Sequence, residues 1–161
     1  MKKEFLKLII IIVFSAVLFY FVNTMTPLPS QSSGNGNPAI LLMFILAPLF
    51  CYLVILWLNL FRDMNINLLI LVIVMIVIAI HWVIGFYYQI SSFMKYKKLL
   101  QDVYQEEMGF VDYEYIDQIT DFFSIHMNSQ YFNLNTYLMF LTMSIFISIL
   151  IMIKQKSFKS S

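Results

Sequence analysis

Three carboxylates, Glu114, Asp117 and Asp121, stand at i, i+3 and i+7, the spacing that places side chains on one face of a helix. Carboxylates grouped this way can hold a cation or divide the roles of acid and base. A solvated helix face carries the same pattern, and no histidine or cysteine joins the stripe at ligand spacing. Neither Glu-x-x-His nor His-Glu-x-x-His occurs, so a transition-metal site has no support. There is no phosphate-binding glycine loop and no Ser or Cys nucleophile paired with a base. No cofactor, metal or catalytic set is expected. The stripe reads better as a recognition surface.

His81 is the second candidate, because an ionisable side chain inside an apolar run is expensive to carry there. Asn67, Val74, His81 and Tyr88 recur every seven residues, with Gly85 on the same side. That face is expected to look into a helix bundle. On the last apolar run Tyr137, Ser144 and Ser148 share a face, and Ser144 and Ser148 form a small-xxx-small pair that permits close helix approach. Two chemistries fit. One is a histidine that carries or senses protons in a bundle cavity. The other is a neutral histidine bonded to a neighbouring hydroxyl or carbonyl, which a reference pKa of about 6.5 makes inexpensive.

The elements that must position these residues are four apolar runs: Leu8–Val22, Ala39–Phe61, Ile66–Ile90 and Leu134–Ile153. A spanning helix needs roughly 20 predominantly apolar residues. A soluble chain of 161 residues has no interior large enough to hide four such runs. Hydrophobic residues make up 61% of the chain and charged residues 12%, against about 45–50% and 25% in soluble domains. Between Leu8 and Ile90 only Arg62 and Asp63 are charged. The expected fold is all-α, one membrane domain over 1–161. Its four transmembrane helices, about 5–22, 39–61, 66–90 and 134–153, form a bundle, with an extracytoplasmic amphipathic helical hairpin between helices three and four.

The first run follows a charged Met-Lys-Lys-Glu-Phe-Leu-Lys start, as in a signal peptide. Tyr20, Phe21, Val22 and Asn23 supply no small-x-small cleavage site, so an uncleaved span is expected. Basic residues set orientation. Lys2, Lys3, Lys7, Arg62, Lys154, Lys156 and Lys159 gather on one side, against Lys95, Lys97 and Lys98 on the other. Both termini are therefore expected in the cytoplasm, in a cell membrane, with 23–38 and 91–133 outside. Nine lysines against one arginine, with abundant Ile and Asn, point to an AT-rich genome of a low-GC bacterium. A net charge of +1 and the lack of a basic stripe argue against a nucleic-acid partner. Lone Cys51 allows no intrachain disulfide and reads as a packing residue.

The connections differ in kind. The Gly/Ser/Asn-rich 23–38 stretch reads as a flexible connector, Pro38 suits the start of the second helix, and mid-span Pro48 should kink it. The short Arg62–Asn65 turn should make helices two and three antiparallel neighbours. From Phe86 to Met108 there is no proline or glycine, so the third helix should run on past the membrane until Gly109 stops it. Its extension is amphipathic: Phe93, Tyr96, Leu99, Leu100, Val103 and Tyr104 oppose Lys97, Lys98, Gln101 and Gln105. Asp112 then caps a second helix over about Tyr113–Met127, where Tyr115, Ile116, Ile119, Phe122, Phe123 and His126 oppose the acids. Seven of the nine acids lie in 91–133.

These features favour a non-enzymatic accessory or immunity-type membrane protein. Its expected partners are the lipid bilayer and a second membrane protein met by the hairpin. The alternatives are a transporter or channel subunit using the His81 face, and a membrane-embedded enzyme using the hairpin carboxylates.

Overall fold

The structure, a computed structural model, describes residues 2–31, 36–64 and 66–160, with side chains as far as 156. Its elements are α1 (Lys2–Thr24), α2 (Ala39–Asp63), α3 (Leu68–Met108), α4 (Tyr113–Ile119), a 3-10 turn (Ile125–Met127), the single-turn α5 (Asn128–Tyr131) and α6 (Leu134–Ser160). No strand occurs among the described residues. Four helices, α1, α2, α3 and α6, are long and apolar enough to cross a membrane. The chain is a multi-pass, all-helical membrane protein. Most of its large apolar side chains, Phe44, Ile73, Val83 and Ile84 among them, point outward, as a bilayer solvent requires.

Local chemistry sets most of the helix ends. The Asn67 side chain accepts from Leu69 N at 3.0 Å and starts α3. Gly109, at φ 77°, stops it in the left-handed region that a side chain would resist. Asp112 accepts from Tyr115 N at 3.0 Å and opens α4. At α6 the Asn133 side chain accepts from Thr136 N (3.1 Å), while Thr136 Oγ1 accepts from Asn133 N (3.0 Å). That reciprocal pair is a capping box with threonine in the third position.

Packing departs from chain order. α6 lies against both α2 and α3, and α1 lies against α2. The expected neighbour pair of α2 and α3 forms no extended interface among the described residues. They meet in one cluster, Leu58 and Leu71 with Ile149 and Met152 of α6, near the connecting turn. The reason lies in α6: Ser144 and Ser148, both fully buried, let it approach α2, and Ser148 Oγ donates to Val54 O at 2.9 Å. A helix that close to α2 takes the place that sequence proximity assigned to α3. Two more clusters, around Leu8, Leu53 and Leu56 and around Leu18, Phe19 and Leu46, join α1, α2 and α6.

The connector 23–38 is tethered at both ends. Asn23 Nδ2 donates to Phe132 O (2.8 Å), and Thr26 Oγ1 accepts from Ser129 N (2.7 Å). Asn37 bonds Asn128. Its central 32–35 lies outside the described residues. Pro48 sits within a continuous α2.

Candidate functional site

α3 is 41 residues long, about 60 Å at 1.5 Å per residue, twice the roughly 30 Å hydrocarbon thickness. Its C-terminal part therefore extends past the hydrocarbon and carries a cap made with residues 109–133. Leu100, Tyr104 and Ile116 are buried together, flanked by Tyr96, Val111, Tyr115 and Ile119. Tyr104 and Tyr115 meet edge to face at 5.5 Å.

The second cap helix is shorter than its apolar pattern indicates, ending at Ile119 rather than near Met127. Thr120 Oγ1 bonds back to Ile116 O (2.8 Å), and Ser124 N bonds Asp121 O (3.0 Å), so the chain turns instead of continuing. Ser124 Oγ then accepts from His126 N at 3.3 Å and starts the 3-10 turn. Two consequences follow. Phe122 and Phe123 leave the shared apolar face and stand 57% and 59% exposed. His126 goes the other way, to 1% exposure, with no hydrogen-bond partner for either ring nitrogen among the described residues. Burial lowers its pKa below the ordinary histidine value.

The three carboxylates still share one surface. Glu114, Asp117 and Asp121 line a wide, open depression with Tyr113 and Gln118. Asp121 reaches it from the turn, not from α4. Asp117 is ion-paired with Lys97 of α3. All three are exposed, unlike the enclosed pockets that hold small substrates. Among the described residues no group of His, Cys, Asp and Glu could hold a metal.

The residues expected on one intramembrane polar face are divided among three places. The buried stripe of α3 is Leu71, Ile78 and Gly85, at seven-residue spacing. Asn67 caps the helix and is exposed, and Tyr88 is 59% exposed. Ser144 and Ser148 turn to the opposite side of α6 from His81 and meet α2. His81 itself, half-buried, faces Thr142 of α6, with Nδ1 3.4 Å from Oγ1. The same oxygen accepts from Trp82 Nε1 at 3.1 Å, while its hydroxyl donates to Leu138 O at 2.9 Å. An Nδ1-protonated His81 would donate to this oxygen, and an Nε2-protonated ring would accept from it.

The largest polar assembly was missed from sequence. At the cap end of the spans, Asn135 Nδ2 donates to Gly85 O (3.0 Å) and Gln89 Oε1 (3.3 Å), and Asn133 Nδ2 donates to Gln89 Oε1 (3.2 Å). Gln89 Nε2 donates to Gln130 O, and Ser92 Oγ donates to Gln130 Oε1 at 3.0 Å. With Asn23, Asn37 and Asn128 these amides form a collar binding the 124–133 segment to α1, α2 and α3. Asn135, Met139 and Thr142, at i, i+4 and i+7 of α6, were the readable signal for the face that meets α3.

No protein-family profile matches this chain, and neither a curated protein nor a solved structure matches it.

Proposed function

We propose that this chain is a non-enzymatic accessory or immunity-type membrane protein that presents its cap to a second, membrane-borne or extracytoplasmic protein. The observation carrying this reading is apolar exposure outside the spans. Met108, Phe110, Tyr113, Phe122 and Phe123 are 55%, 60%, 65%, 57% and 59% exposed. Such side chains, set beside the acidic depression, have the character of a contact surface rimmed by charge. The asymmetry of basic residues supports a cytoplasmic location for both termini, with the cap, read as a helical hairpin, outside, and the Lys-, Ile- and Asn-rich composition supports the cell membrane of a low-GC bacterium.

Co-purification of the full chain from mild detergent tests it. Phe122→Ser/Phe123→Ser and Glu114→Gln/Asp117→Asn/Asp121→Asn should insert normally and lose a partner that the unaltered protein retains. Loss on His81→Gln alone, with both cap variants unaffected, would overturn this reading in favour of a transport or channel subunit. The enzyme alternative draws support only from three carboxylates on one depression, and its openness argues against it.

A further inference from the structure

α3 carries a second surface, on the ridge that faces away from α4. Tyr87, Ile90, Ser91, Met94, Lys95 and Lys98 line one shallow groove of about 410 Å³. Their spacing follows i, i+3/i+4, i+7/i+8 and i+11, so they form a continuous strip along the helix axis. The strip is graded: Tyr87, Ile90 and Met94, 79%, 61% and 67% exposed, make its lower part, and two ammonium groups make its upper part. Lys97 is ion-paired with Asp117. Lys95 and Lys98 are exposed, and neither forms an ion pair among the described residues.

The height of the strip identifies its surroundings. α3 starts at Leu68, and about 20 residues at 1.5 Å each cross the hydrocarbon, bringing Tyr87 to its boundary. A headgroup layer of roughly 5–8 Å then extends past Ser91. A helix tilt of about 20° sinks the strip further, and lysine stems lie along apolar surface while their heads seek charge. Two unpaired cations one turn apart, over an apolar strip that opens to lipid, fit an anion with hydrocarbon attached.

We propose that this groove binds an anionic phospholipid. Lys95 and Lys98 reach down to the phosphate, the Ser91 hydroxyl is placed to donate to its ester oxygens, and an acyl chain lies along Ile90 and Tyr87, below Met94. The site is independent of the cap's partner and of which leaflet the cap faces. Native mass spectrometry of the full chain, equilibrated with equal phosphatidylglycerol and phosphatidylcholine, tests it. The unaltered protein should retain phosphatidylglycerol preferentially. Lys95→Gln/Lys98→Gln should lower that preference by up to about 30-fold, the scale for two membrane-surface cations. Lys97→Gln, which removes a nearby charge directed at Asp117, should leave it intact, and helix content should be unchanged throughout. Equal retention of the two lipids by the unaltered protein, or an undiminished preference in the double variant, would refute the site. Displacement of the lipid by excess inorganic phosphate would show a soluble-anion site and refute it equally.

Discussion

The side-chain amides of Asn37 and Asn128 bond each other reciprocally: Asn37 Nδ2 donates to Asn128 Oδ1 at 2.8 Å, and Asn128 Nδ2 donates to Asn37 Oδ1 at 3.1 Å. Asn128 is 1% exposed, so nothing in solvent replaces a lost partner. Asn37 also donates to Phe123 O (3.2 Å) and accepts from Ala39 N (3.0 Å). One amide pair thus ties the start of α2 to the turn that exposes Phe122 and Phe123.

Asn128→Ala should cost about 1–3 kcal/mol, because the Asn37 amide loses both halves of the pair inside the protein. Asn37→Ala/Asn128→Ala should cost less than the sum of the single changes. Thermal unfolding in detergent provides all three values. Strict additivity would mean that the pair contributes no coupling.

Gly85 should accept no large side chain. A Cβ there would lie 2.9 Å from Met139 Sδ and 3.2 Å from Asn135 Oδ1. Gly85→Leu forces α3 from α6 and strains the Asn135 bond to Gly85 O; a loss of roughly 3 kcal/mol or more is expected, near the top of the overpacking range. Ile73→Leu, at a site 52% exposed, should change the melting temperature little. Equal melting of the two variants would show that α3 and α6 do not meet at Gly85.

Thr142 Oγ1 accepts from Trp82 Nε1 and stands 3.4 Å from His81 Nδ1. Thr142→Val keeps the shape and removes the oxygen, and should cost about 1–2 kcal/mol. His81→Gln retains a donor and an acceptor and should be nearly neutral for folding. A His81→Gln protein that folds normally but loses a pH-dependent transport activity would give His81 a titrating role, since glutamine cannot titrate.

His126 should make the cap sensitive to pH. Its folded pKa is lowered by burial alone; the nearby Glu114, Asp117 and Asp121 are exposed, and the Tyr131 phenol is pushed up by burial and then by Asp121. An opened segment takes a proton near pH 6.5, whereas the folded one takes it only at lower pH. Stability is therefore full above about pH 6.5 and falls below it, since the open state binds more protons there. Amide protection factors over 120–133, which discount the intrinsic slowing of exchange in acid, should fall between about pH 7 and about pH 5.5, above the carboxylate range. His126→Phe should flatten that dependence. A persisting dependence in the variant would remove His126 as its source.

What the sequence determined alone was whatever short-range physics controls. Four spans follow from run length, since a bilayer needs about 20 apolar residues whatever their neighbours. The unbroken α3, its stop at Gly109 and the start of α4 at Asp112 follow from glycine, proline and capping chemistry within a few residues. The facing of the helices did not follow. Lipid is as apolar as a protein interior, so the periodicity that reveals a buried face in water is nearly flat here. Polarity then pointed to the Asn67–Tyr88 seam, whereas close packing selects the adjacent Leu71, Ile78 and Gly85 stripe.

Tertiary structure alone decided that α6 would separate α2 from most of α3, because two serines admit it to the Val54 backbone across 94 residues of chain. It also decided the fate of the 120–133 segment. There a helical period in Phe122, Phe123 and His126 was overridden by Thr120 bonding back to Ile116 O, by Ser124 Oγ accepting from His126 N, and by polar side chains from α1, the start of α2 and α3. Those partners lie some 40 to 110 residues away, beyond the reach of any local pattern.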